Sequence, residues 1–432
     1  MDPEVNGGLP SPSASGKERM NILLSAYACE PGKGSEPGVG WRWTCGMAER
    51  VALTVLTRSN NQESIERAVK ATSIHDPLRQ VRFLYHDLGG IWKLLKRRRM
   101  LPTMAYYFIW QWTAARRFHR EANQADIIHH LTFCTALCPG FWRSDYRTFV
   151  IGPVAAPLVN AHYLSLFGIN APAQALRNLL IRNFLLIPWL RNTFRWASAV
   201  IPANSEMHDL LVSRGIPAKE VILDTGAPEV TECFQRESRP GALRLMYAGQ
   251  LERRKGLELS LRALARVGGR CDWQFEILGS GPDRERLKAL AGELGIGGRV
   301  IFHGALPQAG VMRHFQQADA FLFTSVRDTS GGVNLEAMTH GLPIICIAHQ
   351  GVGDITDESC AERIPAGPIE ETIGKLAEAV VRMAENPKRR LEMGAAAGQR
   401  AKERFSWDQK FERMCGYYRA AIANSPPKIK TD

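Results

Sequence analysis

Short apolar runs alternate with helical stretches along almost the whole chain, and that alternation constrains the fold more than any other feature. Strand candidates in the first half are Asn21–Ala26, Leu53–Thr57, Val81–Leu84, Ile127–His130, Phe149–Ile151 and Ala199–Ile201. The second half repeats the pattern at Arg244–Ala248, Gln274–Leu278, Val300–Phe302, Ala320–Phe323 and Ile344–Ile347. Between these lie helical patterns near Leu257–Val267, Asp283–Leu294, Ala309–Ala318 and Gly332–His340, then Ile369–Asn386 and Arg389–Ala423. Runs that are apolar throughout, rather than alternating with polar residues, suit strands buried on both faces. Helices that follow them suit crossovers between parallel strands. The expectation is an α/β protein with parallel, doubly wound sheets.

At 432 residues the chain exceeds one ordinary core. The polar stretch 229–241, with Pro240 and Gly241, is a natural linker. The expected organisation is a disordered extension over 1–19, a first domain over 20–228, and a second over 242–400. A helix over 401–424 then crosses back to the first domain, and 425–432 form a tail. Met20 is a candidate translation start, because the fold signal begins there. Ile22–Cys29 resembles the end of a secretion or lipoprotein signal, but the run is short and little positive charge precedes it, so a first buried strand is preferred.

The formal net charge of +12 points to anionic partners. No nucleic-acid-binding signature accompanies it, so a nucleic-acid partner is not expected. The nine cysteines are scattered and several lie in apolar runs, which fits buried thiols in a reducing compartment. Cys134 and Cys138 lack a second pair, so no metal site is expected. No apolar run reaches the ~20 residues that span a bilayer.

Chemistry concentrates in loops just after strands. Ala320–Phe323 leads into Asp328, then Ser330, Gly331, Gly332 and Val333, which open a helix carrying Glu336. A glycine-rich helix start offers unpaired N–H groups and a positive dipole end to an anionic or hydroxyl-rich ligand. Gly249–Gly256 is a cationic loop containing Gln250, Arg254 and Lys255, suited to a diphosphate. Gly279–Pro282 is a tight turn on the same side. In the first half, Gly34 and Gly38 belong to a glycine-rich loop that nearly makes a dinucleotide fingerprint, with its last gap one residue too long. His129 and His130 end a buried strand; a sugar-contacting histidine and a structural one are equally compatible with that position.

Taken together these segments resemble the family 4 glycosyltransferases over roughly residues 20–420. The second half carries the specific motifs: Gly249–Gly256, Leu278–Pro282, Val300–Gly304, the pair of acids Asp328 and Glu336, and Glu336–Pro343. The opening loop Gly34–Trp41, Ile151–Val154 and Asn204–Glu206 look similar to a branch found in bacterial polysaccharide clusters. The resemblance implies the GT-B fold, two facing Rossmann-like domains. It implies retaining, metal-independent transfer from a nucleoside-diphosphate sugar, with no cofactor. By resemblance, Lys255 holds the diphosphate and Glu336 the ribose hydroxyls. Asp328 and the N–H groups at Ser330–Gly332 contact the transferred sugar, His129 stands near it, and the Gly34–Gly38 loop approaches the phosphates. Catalytic roles thus fall on His129, Asp328 and Lys255. Donor binding falls on Gly34, Gly38, Gln250, Arg254, Lys255, Gly279, Ser330, Gly331, Gly332, Val333 and Glu336.

Two positions depart from the family pattern. Asp328 stands where Glu is usual, and Gln250 stands where Arg is usual; Arg254 or Arg253 is expected to compensate. Two basic and aromatic regions, Ile91–Arg99 followed by Tyr106–Trp112, and Leu176–Trp196 with Arg177, Arg182, Arg191 and Arg195, suit an anionic membrane face. The expected acceptor is a glycan or lipid-linked glycan, and the expected location the cytoplasm, peripheral to the inner membrane face. The alternatives are a non-catalytic nucleotide- or glycan-binding homologue and, less favoured, a nicotinamide-dependent oxidoreductase.

Overall fold

The computed structural model describes residues 19–90, 92, 95, 98, 102–142, 148–229, 236, 237 and 240–424. The expected N-terminal extension except Arg19, most of the linker and the C-terminal tail lie outside the described residues, as does most of the basic stretch 91–101.

Each half builds one sheet of six parallel strands. The first contains β1 (Asn21–Ser25), β2 (Ala52–Arg58), β3 (Arg82–His86), β4 (Ile127–His130), β5 (Phe149–Val154) and β6 (Ala199–Pro202), in the order β3-β2-β1-β4-β5-β6. The second contains β7 (Leu243–Ala248), β8 (Trp273–Leu278), β9 (Val300–Gly304), β10 (Ala320–Phe323), β11 (Ile344–Ile347) and β12 (Ala361–Ile364), in the order β12-β11-β10-β7-β8-β9. Every pairing is parallel. The expected α/β class and paired doubly wound sheets are therefore found.

The strand chemistry explains the layering. All residues of β4, β5, β6, β10 and β11 are buried, so helices cover both faces and the runs read as continuously apolar. In each sheet the strand order reverses between two central strands, β1 and β4 in the first and β7 and β10 in the second. Loops leaving such neighbours diverge to opposite faces and open a crevice at the carboxyl ends of the strands. That places the loops after β1, β4, β7 and β10 where a ligand is expected.

Two sequence expectations need correction. The strand β12 went unread because its central Glu362 and Arg363 are polar, as an edge strand permits. The helical stretch expected over Arg389–Ala423 is two helices, Pro387–Arg404 and Trp407–Ala423, so the last helix begins at Trp407 rather than at 401. Ser406 breaks it in extended conformation and accepts the Gln409 N–H at 3.4 Å as an N-cap. The second of these helices buries Trp407, Phe411, Met414, Cys415 and Tyr418 in one cluster with Ile22, Leu24, Trp43, Met47 and Ile127 of the first half.

Candidate functional site

The carboxyl-end loops of the two sheets meet. Asn204, after β6, donates from Nδ2 to Thr329 O, after β10, at 2.9 Å. Gln350, after β11, donates from Nε2 to Leu158 O, after β5, at 2.5 Å, and its N–H donates to Glu206 Oε1 at 2.9 Å. The segment Asn204–Glu206, singled out in the sequence, therefore joins the two halves. Asn204 Oδ1 also caps its own helix through Met207 N–H.

Beside this junction the loop after β7 is held against two others, mostly through backbone groups. Leu251 N–H donates to Ser280 O and Asp283 N–H to Leu251 O, at 2.9 and 3.0 Å. Gly279 has φ +138°, and a Cβ there would stand 1.8 Å from Gly249 O. Only glycine fits both the conformation and the space. At the other end of the loop, Val326 N–H and Ser325 Oγ donate to Arg254 O at 2.9 and 3.0 Å. Lys255 is thereby carried to the start of the loop after β10.

There Lys255 Nζ makes a short ion pair with Asp328 Oδ2. The partners' side chains are only 12% and 18% exposed. Burial by itself would raise the Asp328 carboxyl, but the Lys255 ammonium beside it, with Arg254 further off, holds it below the usual carboxylate range. Asp328 Oδ1 also accepts from Thr329 N–H at 3.1 Å, and its own N–H donates to Gln350 Oε1 at 2.6 Å. The N–H groups of Gly331, Gly332 and Val333 donate to no protein group among the described residues. One turn on, the Glu336 carboxylate has no hydrogen-bond partner among the described residues and is solvent-accessible. Its surroundings nonetheless raise its pKa by desolvation. One short stretch thus carries free donors, a free acid and a buried ion pair.

The compensating cation expected for Gln250 is partly engaged. Arg254 Nε donates to Glu252 Oε2 at 2.6 Å, and its Nη2 reaches Gln250 Oε1 at 3.5 Å. Its field still reaches Asp328. Arg253 turns away, pairing with Asp283 at 3.3 Å and donating to Leu166 O at 3.2 Å.

His129 needs correction. Its ring is fully buried, Nδ1 bonds the Tyr418 hydroxyl at 2.6 Å and Nε2 lies 2.5 Å from Gly152 O. Burial pushes its pKa down to about 4, so the ring is neutral. Nε2 donates to the carbonyl and Nδ1 accepts from the phenol. No ring nitrogen remains for a sugar. His129 ties β4 to the C-terminal helix, because a strand buried on both faces turns every side chain into the core. His130 is equally buried. Among the glycines of the opening loop, Gly34 lies in open space, while a Cβ on Gly38 would strike Lys33 O at 2.0 Å. Gly38 is needed by its own loop. Arg177, expected on a membrane face, instead points inward and donates to Pro157 O at 2.7 Å.

Three ionisable residues at the junction were not singled out in the sequence. Asp224 accepts from Ser330 Oγ in a short hydrogen bond, and its carbonyl accepts from Trp43 Nε1 at 2.9 Å. Glu36, at the start of helix Ser35–Ala48, accepts Phe133 N–H at 3.3 Å. Burial and the Asp224 charge raise its pKa to about 7. Lys410, on the C-terminal helix, donates to Leu223 O at 3.3 Å, and burial lowers it to about 7 against the pull of Asp224. The available signal was a charge inside an apolar run, as in Ile222-Leu223-Asp224; Glu36 was hidden among glycines. Cys134 and Cys138 are buried thiols, Cys138 pushed up by burial to about 12.

Residues 231–400 match the family described as glycosyl transferases group 1. The chain is 25% identical over 301 residues to 2-deoxystreptamine glucosyltransferase of Streptomyces kanamyceticus, covering 61% of this chain and 74% of that protein. It is 30% identical over 155 residues to lipopolysaccharide 1,6-galactosyltransferase of Salmonella typhimurium, covering 35% of this chain but only 43% of that protein. Among solved structures, the apo lipopolysaccharide outer core galactosyltransferase WaaB superposes with a TM-score of 0.59 at 16% identity. That match covers 93% of this chain and 99% of the other.

Proposed function

We propose that this chain, a glycosyltransferase with the GT-B fold and a group 1 domain in its second half, moves a sugar with retention from a nucleoside-diphosphate sugar to a hydroxyl of a glycan or lipid-linked glycan in cell-surface polysaccharide synthesis. The carrying observation is the run from Lys255–Asp328 through the free N–H groups of Gly331–Val333 to the free Glu336 carboxylate. The relatives named for lipopolysaccharide and colanic acid synthesis support the acceptor class. The oxidoreductase alternative falls away, since the family match and the relatives are transferases.

In this reading the diphosphate gains negative charge as the anomeric bond breaks. Lys255 and the N–H groups of Gly331, Gly332 and Val333 stabilise that charge. Arg254 adds to the local field, while Glu336 accepts from ribose hydroxyls. Lys255 arrives already paired, so donor binding exchanges the Asp328 carboxylate for phosphate and frees Asp328 to accept from the sugar. Glu36 and Asp224 stand on the first-half side, where the acceptor hydroxyl enters. No step uses a metal ion. A screen of UDP- and GDP-sugars, following nucleotide release with and without lipid-linked acceptor and the product anomer by NMR, tests this. Acceptor-stimulated release that persists in EDTA supports it; an inverted product or strict metal dependence refutes it.

The acceptor side also fits a membrane surface. Helices Thr103–Arg117 and Pro188–Trp196 lie together through Phe108, Phe141 and Trp189, with Phe108–Trp189 centroids 5.8 Å apart. Trp112, Leu176, Leu179, Leu186 and Trp196 are exposed on these and neighbouring helices, with Arg182, Arg191 and Arg195 also exposed. Exposed apolar groups among cations suit an anionic bilayer face. No helix among the described residues is long and apolar enough to cross a membrane. Flotation with anionic liposomes at low salt should carry the protein upward; failure to float sinks the idea.

A further inference from the structure

A cluster outside the donor loops has the composition of a metal site. Glu276 lies on β8 between the buried Phe275 and Ile277, His303 near the end of the edge strand β9, and His314 in the last turn of helix Gln308–Gln317. Glu276 Oε2 is 2.6 Å from His314 Nδ1 and 3.2 Å from His303 Nε2. The two imidazole rings have centroids 4.4 Å apart, and one donor atom from each of the three residues falls within 4.8 Å of the others.

A hydrogen-bonded His–Glu pair explains only half of this. His314 Nδ1 can donate to the carboxylate, but His303 Nε2 is buried and makes no hydrogen bond of acceptable geometry among the described residues. A buried ring nitrogen without a partner is costly. A cation set between the three donors would take both imidazole lone pairs and the carboxylate at once. Around a tetrahedral ion with bonds of about 2.0–2.1 Å, ligand atoms stand about 3.3 Å apart. The His303–Glu276 spacing already matches, and the His314–Glu276 contact must open by roughly 0.7 Å, which a small side-chain rotation supplies. Side-chain exposures of 19–25% leave room for water to complete the shell.

We infer that Glu276, His303 and His314 bind one divalent cation of the zinc class, clamping β8, β9 and helix Gln308–Gln317 together. Two imidazoles and one carboxylate favour zinc, cobalt or nickel over magnesium or calcium, which prefer all-oxygen shells. The clamp lies just below the donor side, since Gly304 O, at the end of β9, accepts Gly279 N–H at 2.8 Å. Its role is structural, so transfer itself proceeds without it.

The test uses the full chain stripped with EDTA. Co²⁺ should bind with one equivalent per chain and give visible d–d absorption. Zn²⁺ at 100 times its Kd should raise the Tm by roughly 5 °C, and Mg²⁺ should not. His314→Ala and, as a milder change that keeps the shape, Glu276→Gln should abolish the Co²⁺ spectrum and the Zn²⁺ shift. Absence of saturable binding, or binding that survives in both variants, overturns the assignment.

Discussion

Replacing Lys255 with Met leaves Asp328 in place without its cation. A contact pair at an effective dielectric near 20 has a gross attraction of about 4–5 kcal/mol. Desolvation of both ions offsets much of this, so the net coupling should be about 2 kcal/mol. The loss in Lys255→Met should be larger than that coupling, about 3 kcal/mol, because a largely buried carboxylate is left with Thr329 N–H, a long contact from Ser325 Oγ at 3.5 Å and the more distant Arg254 for support. The pH dependence should also reverse. In the parent, the Asp328 pKa is depressed, so its contribution is present above the ordinary carboxylate range and is lost as pH falls through the depressed value. Without Lys255, burial is the leading cause left and the pKa rises, so stability is instead lost as pH increases. Adding Asp328→Asn should recover about 2 kcal/mol of stability while kcat/KM stays at least tenfold down, since the leaving diphosphate has lost its ammonium. Urea unfolding at several pH values and steady-state kinetics on the four proteins of the cycle read both quantities. A coupling under about 0.3 kcal/mol, or unaltered turnover in Lys255→Met, refutes the reasoning.

Three further outcomes follow from the same geometry. Tyr418→Phe removes the hydroxyl bonded to His129 Nδ1 and should cost about 1–2 kcal/mol in urea unfolding while kcat stays within about twofold; a large kcat loss would restore a direct role for His129. Glu36 has a folded pKa near 7 against an ordinary 4.5, so its contribution to stability is fully present below about 4.5 and lost as pH rises through about 7. Glu36→Gln should therefore gain about 1–2 kcal/mol at pH 8 and nothing at pH 4, measured by denaturant titration; equal effects at both would count against the raised pKa. Gly279→Ala forces a Cβ against Gly249 O and should cost 2 kcal/mol or more with a raised donor KM, measured by unfolding and by donor saturation kinetics. An Ala variant of parental stability and KM would show that the two loops have room to separate.

The sheets were legible because their signal is local. An apolar run such as Ala320–Phe323 has one good burial solution, and parallel neighbours follow from the helices between runs. The edge strand β12 was not legible, since its central residues are the charged pair Glu362 and Arg363, half-buried and satisfied by partners distant in sequence such as Arg382. The position of the candidate-site loops was legible for a similar reason: glycines, a cation and two acids lie in short stretches just after strands, where the strand order reversal puts ligands. Individual side-chain roles were less so. His129 occupies the expected position, yet its surroundings come from Gly152 and from Tyr418, 289 residues away. Arg177 read as a surface cation and turned inward to Pro157.

The sequence alone determined that two doubly wound parallel domains would form and which strand ends would carry the polar loops, because burial and backbone freedom act over a few residues. Only the tertiary structure decided which charges meet. Lys255 and Asp328 are joined across 73 positions, Asp224 and Ser330 across 106, and Lys410 arrives from the far end of the chain. A carboxyl or imidazole takes its charge from the field and burial around it, and in this protein those come from segments that meet only when both sheets have formed and the last helix has returned to the first.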